Sequence, residues 1–250
     1  MKDTRIVPHK PAMTLNYENK NYLIITDIHL GFESILFGKE INIGSNTYGV
    51  ESIQSIEELI KSTNSDSVII LGDIKSSINR ISDLEWKEMS KLMKKLNDIT
   101  HLIIIPGNHD SNIQKISTQS SVTSNIGITL GNILLTHGHI LPTRKMSYVS
   151  RIIMGHVHPI FFSNDSILNG QRVWVNLQCD RRIIFPSTSG KLDVTVVPSF
   201  NQYIVPVYRH RKKSAISPII SRILKKEFVV KIITLDGTII GNEDIIHNVL

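Results

Sequence analysis

Five times along this chain a short, β-branched apolar run stops at residues able to hold a metal ion, and this recurrence constrains the fold more than any other feature. Tyr22-Leu-Ile-Ile-Thr26 runs into Asp27-Ile-His29, and Val68–Leu71 runs into Gly72-Asp73. Leu102–Ile105 ends at Pro106-Gly-Asn-His-Asp110, Ile133–Thr136 at His137-Gly-His139, and Arg151–Met154 at Gly155-His-Val-His158. Short continuous apolar runs read as strands buried on both faces, which requires a sheet covered on each side. Between them lie helical patterns. Ile53, Ile56, Leu59 and Ile60 recur at helical spacing within Glu51–Lys61, and Ser82-x-x-Glu85 is a capping box opening a helix that carries Leu84, Leu92, Met93 and Leu96. Met89 and Met93 read as core filler. Alternating strands and helices predict a layered α/β fold, in which functional residues collect beyond the carboxyl ends of the strands.

After Pro159 the helical signal fades. Val173–Leu177, Leu192–Val197, Tyr203–Val207 and Phe228–Thr234 read as strands, with Asp236-Gly237 as a turn before Thr238–Ile240 and a short helix over Asp244–Leu250. A length of 250 residues allows one large domain or two small ones, and the absence of a Gly/Ser- or Pro-rich linker favours a shared core. A single cysteine, Cys179, excludes a disulfide framework and a cysteine-based zinc finger. No apolar run reaches the ~18 residues a membrane span needs, and Met1–Lys10 leads into no apolar segment of a secretory signal. The expectation is a soluble protein of a reducing cytoplasm, with no membrane partner.

The charge is unevenly distributed. Residues 1–125 carry 13 Lys+Arg and 15 Asp+Glu, whereas residues 126–250 carry 15 and 7. A basic half suits a polyanion such as nucleic acid, although the run Arg209, Arg211, Lys212, Lys213 also reads as a solvated face.

Six of the ten histidines lie in the strand-end motifs: His29, His109, His137, His139, His156 and His158. Together with Asp27, Asp73 and Asn108 they form a set of imidazoles and hard oxygen donors suited to divalent metals. A single zinc takes three or four ligands, and the set here is large enough for two ions if one carboxylate bridges them.

In order, Asp27-x-His29, Gly72-Asp73, Gly107-Asn-His-Asp110, His137-Gly-His139 and Gly155-His-x-His158 resemble the motifs of the calcineurin-like metallophosphoesterases, from about Tyr22 to Pro159. Asp27-Ile-His-Leu-Gly-Phe-Glu33, Leu71-Gly-Asp-Ile-Lys75, Glu85-Trp86 and Gly155-His-Val-His-Pro159 are similar to an archaeal and bacterial branch that includes phosphoesterases associated with DNA ligases. The resemblance implies a four-layer α-β-β-α sandwich of two mixed sheets flanked by helices. It implies one domain over residues 1–250, with the catalytic motifs at 27–158 and the strands and basic segment of 160–250 completing the second sheet.

The resemblance also implies two divalent ions. Asp27, His29, Asp73 and His158 would hold one, and Asp73, Asn108, His137 and His156 the other, with Asp73 bridging. Manganese is the expected occupant, with Fe, Zn, Co, Ni or Mg as alternatives. His109 would protonate the leaving oxygen, with Asp110 orienting it. The implied activity is phosphoester hydrolysis on a phosphodiester such as nucleic acid or a nucleotide. The alternatives are a phosphomonoesterase acting on small phosphates and a non-catalytic scaffold of the same fold; the chain would be a monomer or a homodimer. His139, Lys75, Arg80, Arg144, Lys145 and Arg151 are open between substrate contacts and ordinary loop or surface positions. Cys179, Trp86 and Trp174 read as packing residues.

Overall fold

Each of the five apolar runs forms a strand, and its residues divide by parity between two environments. The computed structural model describes residues 3–32, 47–78, 81–116, 120–204 and 217–250. The first sheet runs in the order β1 (Asp3–Ile6), β2 (Met13–Tyr17), β3 (Lys20–Ile25), β4 (Ser67–Ile70), β5 (His101–Ile104) and β6 (Ser121–Val122). From β3 onward its strands are parallel. Two helices, α1 (Thr47–Thr63) and α2 (Asp83–Ile99), make the crossovers from β3 to β4 and from β4 to β5. The second sheet contains β7 (Ile128–Leu130), β8 (Ile133–Thr136), β9 (Arg151–Met154), β10 (Ile160–Phe161), β11 (Gln171–Asp180), β12 (Lys191–Val196), β13 (Phe228–Thr234) and β14 (Ile239–Gly241). Its order is β14-β13-β11-β12-β9-β8-β7, with β10 paired to β11. Strands β8, β9 and β12 are parallel and the other pairings antiparallel. Both sheets are therefore mixed, as expected.

The alternation of side chains across a strand explains why apolar runs are continuous rather than alternating. Leu23, Ile25, Val68, Ile70, Leu102 and Ile104 face outward and pack with α1 and α2. Their neighbours Ile24, Ile69, Leu71 and Ile105 face inward and meet Ile133, Leu135, Ile153 and Trp174 of the second sheet. On the far side of that sheet Leu134, Ile152, Met154 and Val175 pack beneath the short helix α3 (Pro218–Ile223), through Ile219, Ile220 and Ile223. Three apolar interfaces thus separate four layers, although the outer layer over the second sheet contains little helix. The α2 capping box is formed as read, with Ser82 and Glu85 bonding reciprocally.

Three readings change. The Tyr203–Val207 strand is absent in its described part: Gln202–Ile204 form a 3-10 turn, because the Asn201 side chain accepts a hydrogen bond from the Tyr203 amide and bends the chain. The C-terminal helix is a 3-10 segment, Glu243–Asn248. Trp86 is 44% exposed rather than packed, whereas Trp174 is completely buried. Glu33, Arg80 and the 209–213 cluster lie outside the described residues.

Trp174 fills the space between the sheets, but its buried indole N–H has no partner. Trp174→Ala should cost about 3–5 kcal/mol through the cavity it leaves. Trp174→Phe should stay within about 1 kcal/mol of wild type, because it removes a buried, unsatisfied donor along with some volume. Urea midpoints of the two variants check both values.

Candidate metal centre

The parallel strands β3, β4 and β5 of one sheet and β8 and β9 of the other all end at the same edge of the sandwich, and the polar residues that follow them converge there. Five of these residues take a left-handed backbone conformation: Asp27 (φ 55°), His29 (48°), Asp73 (51°), His156 (70°) and His158 (48°). This region costs a non-glycine residue about 1–3 kcal/mol and persists only where its surroundings enforce it. Here the enforcement is backbone pairing between the strand-end loops. Asp27 N donates to Gly72 O at 3.1 Å and His29 N to Asp73 O at 2.9 Å. Glycine is needed where the loops touch. A Cβ on Gly72, itself at φ 81°, would fall 2.5 Å from His137 Nδ1, and one on Gly155 would fall 1.9 Å from Thr26 Oγ1.

Two groups of donor atoms result. Asp27, His29, Asp73 and His158 offer ligand atoms within 4.8 Å of one another, and so do Asp73, His137 and His156. Asp73 belongs to both. Asn108, exposed on its loop, brings Oδ1 to 3.2 Å from His137 Nε2. In each carboxylate one oxygen is committed to the protein and the other faces the site. Asp27 Oδ2 accepts from the Thr26 hydroxyl (2.8 Å) and the His156 amide (3.0 Å), whereas Oδ1 is buried with His158 Nε2 3.0 Å away. Asp73 Oδ1 accepts from the His109 amide at 2.9 Å, leaving Oδ2 3.3 Å from His137 Nε2 and 3.7 Å from His29 Nε2.

The His137 imidazole is oriented in the same manner. His137 Nδ1 donates to the Leu71 carbonyl at 2.7 Å, which turns Nε2 inward. His29 Nε2 and His158 Nε2 face each other at 3.4 Å, and His156 Nδ1 faces His137 Nε2 at 3.2 Å. Imidazole nitrogens held this close, beside the inward oxygens of Asp27 and Asp73, form donor sets that fit divalent cations.

The electrostatics agree. Burial works against the charge of Asp27 and Asp73, but the neighbouring histidines outweigh it and both carboxyls lie below their ordinary range. Burial, with repulsion from His158, pulls His29 down to about 3. Burial, with repulsion from His137, pulls His156 and His139 down to about 4. For His137 burial is overcome by Asp73, then Asp27, and its pKa rises to about 9.

His109 lies beside this cluster, its ring centroid 5.0 Å from that of His29. Its Nδ1 donates to the Ser76 carbonyl at 2.5 Å, which leaves Nε2 free of the loop and 3.9 Å from Asp73 Oδ2. The expectation that Asp110 orients this ring is not met by contact. The Asp110 carboxylate accepts from the amides of Gly107 (2.8 Å), Ile74 (2.9 Å) and Lys75 (3.5 Å), so it ties two strand-end loops together. Burial, with repulsion from Asp73, raises its pKa to about 6.

Lys75 is neither exposed nor aimed at a phosphate: it is fully buried and Nζ donates to the Ser77 carbonyl. Arg144 and Lys145 are exposed, and Arg151 reaches Thr4 and Thr195. His139 is half-buried with its ring centroid 5.2 Å from that of His137, and its Nδ1 has no partner. Cys179 is buried, and desolvation raises its thiol pKa to about 11. Sequence reasoning missed Thr26 and Ser76. It also missed the second role of Glu85, which accepts from the Ser77 amide and hydroxyl and so fixes the loop whose Ser76 carbonyl holds His109.

The family model for calcineurin-like phosphoesterase matches residues 20–185. Among solved structures, the fold is similar to the nuclease MPE of Pseudomonas putida, with TM-score 0.52 and 15% identity over 94% of this chain and 98% of that one. Yfce, a phosphoesterase from E. coli, aligns with TM-score 0.42 and 17% identity over 90% and 98%. No curated protein matches the sequence.

His137 sets a pH dependence. Its folded pKa of about 9 lies above the ordinary 6.5, so its ion pair stabilises the metal-free protein fully below pH 6.5, and that contribution is lost as pH rises through 9. A cation needs the neutral ring, so Mn²⁺ uptake at pH 7.5 should release about one proton per chain. Titration calorimetry in buffers of different ionisation enthalpy measures it; no release would mean that His137 is already neutral.

Proposed function

The chain belongs to the calcineurin-like phosphoesterase family and is a hydrolase acting on ester bonds; on that premise we propose that it cleaves phosphodiesters, in nucleic acid or nucleotides, at a centre holding two divalent cations. The observation that carries this reading is the pair of buried donor groups sharing Asp73. In this reading Asp27, His29, Asp73 and His158 hold one ion, and Asp73, Asn108, His137 and His156 the other. When bound, the ions neutralise phosphoryl oxygens and make hydroxide available from water near neutral pH.

The remaining work falls to the protein's own groups. Thr26 and the His156 amide hold Asp27 so that one oxygen points inward, and the His109 amide does the same for Asp73. The His109 ring, fixed through Nδ1 on Ser76, presents Nε2 to the leaving group. Entering the reaction as the imidazolium, with a second proton on Nε2, it hydrogen-bonds a phosphoryl oxygen, hands the Nε2 proton to the departing alkoxide and is left neutral. Asp110 keeps the His109 loop in register with the Asp73 loop rather than touching substrate.

Two features favour a diester. The second half of the chain is basic, which suits a polyanion. A nuclease from Pseudomonas putida has the same fold over 98% of its length. Manganese is the proposed occupant and the cytoplasm the proposed location; no described helix is long and apolar enough to cross a membrane.

Metal-stripped protein re-supplied with Mn²⁺ should release nitrophenol faster from bis-p-nitrophenyl phosphate than from p-nitrophenyl phosphate. The reverse order would make it a monoesterase, and no turnover with two ions bound per chain would make it a scaffold. His109→Ala should retain both ions and lose about 10²–10⁴ in rate. Asp73→Ala should lose the ions and the activity together, as metal analysis and the same assay report.

A further inference from the structure

Four consecutive carbonyls carry the first motif, and each is held from outside it. Thr26 O accepts from the Phe200 amide at 2.9 Å. Asp27 O accepts from the Asn201 amide at 3.2 Å and the Ser199 hydroxyl at 2.9 Å. Ile28 O accepts from the Tyr48 hydroxyl at 2.6 Å, and His29 O from the Ser76 hydroxyl at 2.8 Å and Asn201 Nδ2 at 3.5 Å. Four donors to this loop come from Ser199–Asn201, a segment that contributes no ligand and sits more than 160 residues away, as the separation of 172 between Ser199 and Asp27 shows. Ser199 and Asn201 are themselves buried, at 1% and 0% exposure.

This segment has its own anchor. Arg172 on β11 donates from Nη1 to the carbonyls of Ser199 at 2.8 Å and Phe200 at 2.9 Å. Burial pulls the Arg172 pKa below its ordinary value, and among the described residues no carboxylate forms an ion pair with it. A half-buried guanidinium spent on two main-chain carbonyls fixes the path of the chain at that point.

We propose that Arg172 is a positioning residue for the metal centre: acting through Ser199–Asn201, it holds the Asp27–His29 loop in its left-handed conformation and thereby aims Asp27 Oδ1 and His29 Nε2 at one of the two ions. The inference rests on the reading of the site as a two-cation centre. Its consequence is asymmetric. The segment bonds the loop bearing Asp27 and His29, whereas Asn108, His137 and His156 lie on loops it does not bond. Groups that orient ligands from behind typically contribute 10–100-fold to metal affinity. Without the Arg172 anchor the first ion should be lost selectively.

The test is a Mn²⁺ titration of the metal-stripped full chain, followed by electron paramagnetic resonance and paired with thermal melts. Wild type should take up two ions per chain; if it takes up none, the reading of the site fails, and not this inference alone. Arg172→Ala should weaken one ion by about 10–100-fold and leave the other unchanged. At a concentration that just saturates wild type, the variant then holds one ion. Arg172→Lys, which keeps a cation but not the planar fork, should recover part of the loss. Ser199→Ala, which removes one hydroxyl from Asp27 O, should act in the same direction more weakly and serves if Arg172→Ala does not fold. A lowered Tm with both affinities unchanged, or an equal loss at both ions, would overturn the proposal.

Discussion

Two carboxylates buried in one place repel each other and have lost their water, and the arrangement around Asp27 and Asp73 answers that cost. Each is stripped of solvent, and each raises the other's resistance to ionisation. What keeps both charged is the surrounding imidazoles, of which His137 and His109 are oriented by the Leu71 and Ser76 carbonyls. The need to bring those imidazoles near without clashing then explains the glycines at Gly72 and Gly155 and the left-handed turns at five donor residues. Fold follows site as much as site follows fold: the parallel strands exist at that edge because they deliver turns that face one another.

Much of this was legible in the residues. The five strands lie within two residues of the apolar runs, because a run of β-branched residues between polar stops leaves little freedom of register. The donor residues were legible because imidazole and carboxylate side chains carry their chemistry visibly. Groups that act through the main chain carry no such mark. Ser76 matters through its carbonyl, which every residue possesses, and the Ser199–Asn201 segment through two main-chain amides, a hydroxyl and one side-chain amide. Arg172 reads as one more basic residue of a basic half until its acceptors are seen. Lys75 misled for the converse reason: a lysine beside a phosphate-type motif suggests a clamp, yet this one is folded back onto Ser77. Tyr203 misled because an apolar, aromatic stretch reads as strand while the asparagine before it dictates a turn.

The division of labour between the halves also becomes clear. The first sheet supplies both carboxylates and His29, and the second supplies His137, His156 and His158. The apolar layer between them, centred on Trp174 and Ile153, is therefore the distance gauge of the site. Close packing makes such a layer stiff, so small changes of volume far from the donors are felt at the donors.

That the two donor groups join residues as far apart as His29 and His158, 129 positions along the chain, has a consequence for how the protein comes into being. Contacts between distant segments form late in folding, because a long loop must close before they are made. During synthesis the chain presents Asp27, His29 and Asp73 well before β9 exists, and an early fragment offers a passing cation only a partial, weak set of donors. Full occupancy waits for the last strand of the site to dock. Full metal uptake then reports that the two sheets have met at this edge.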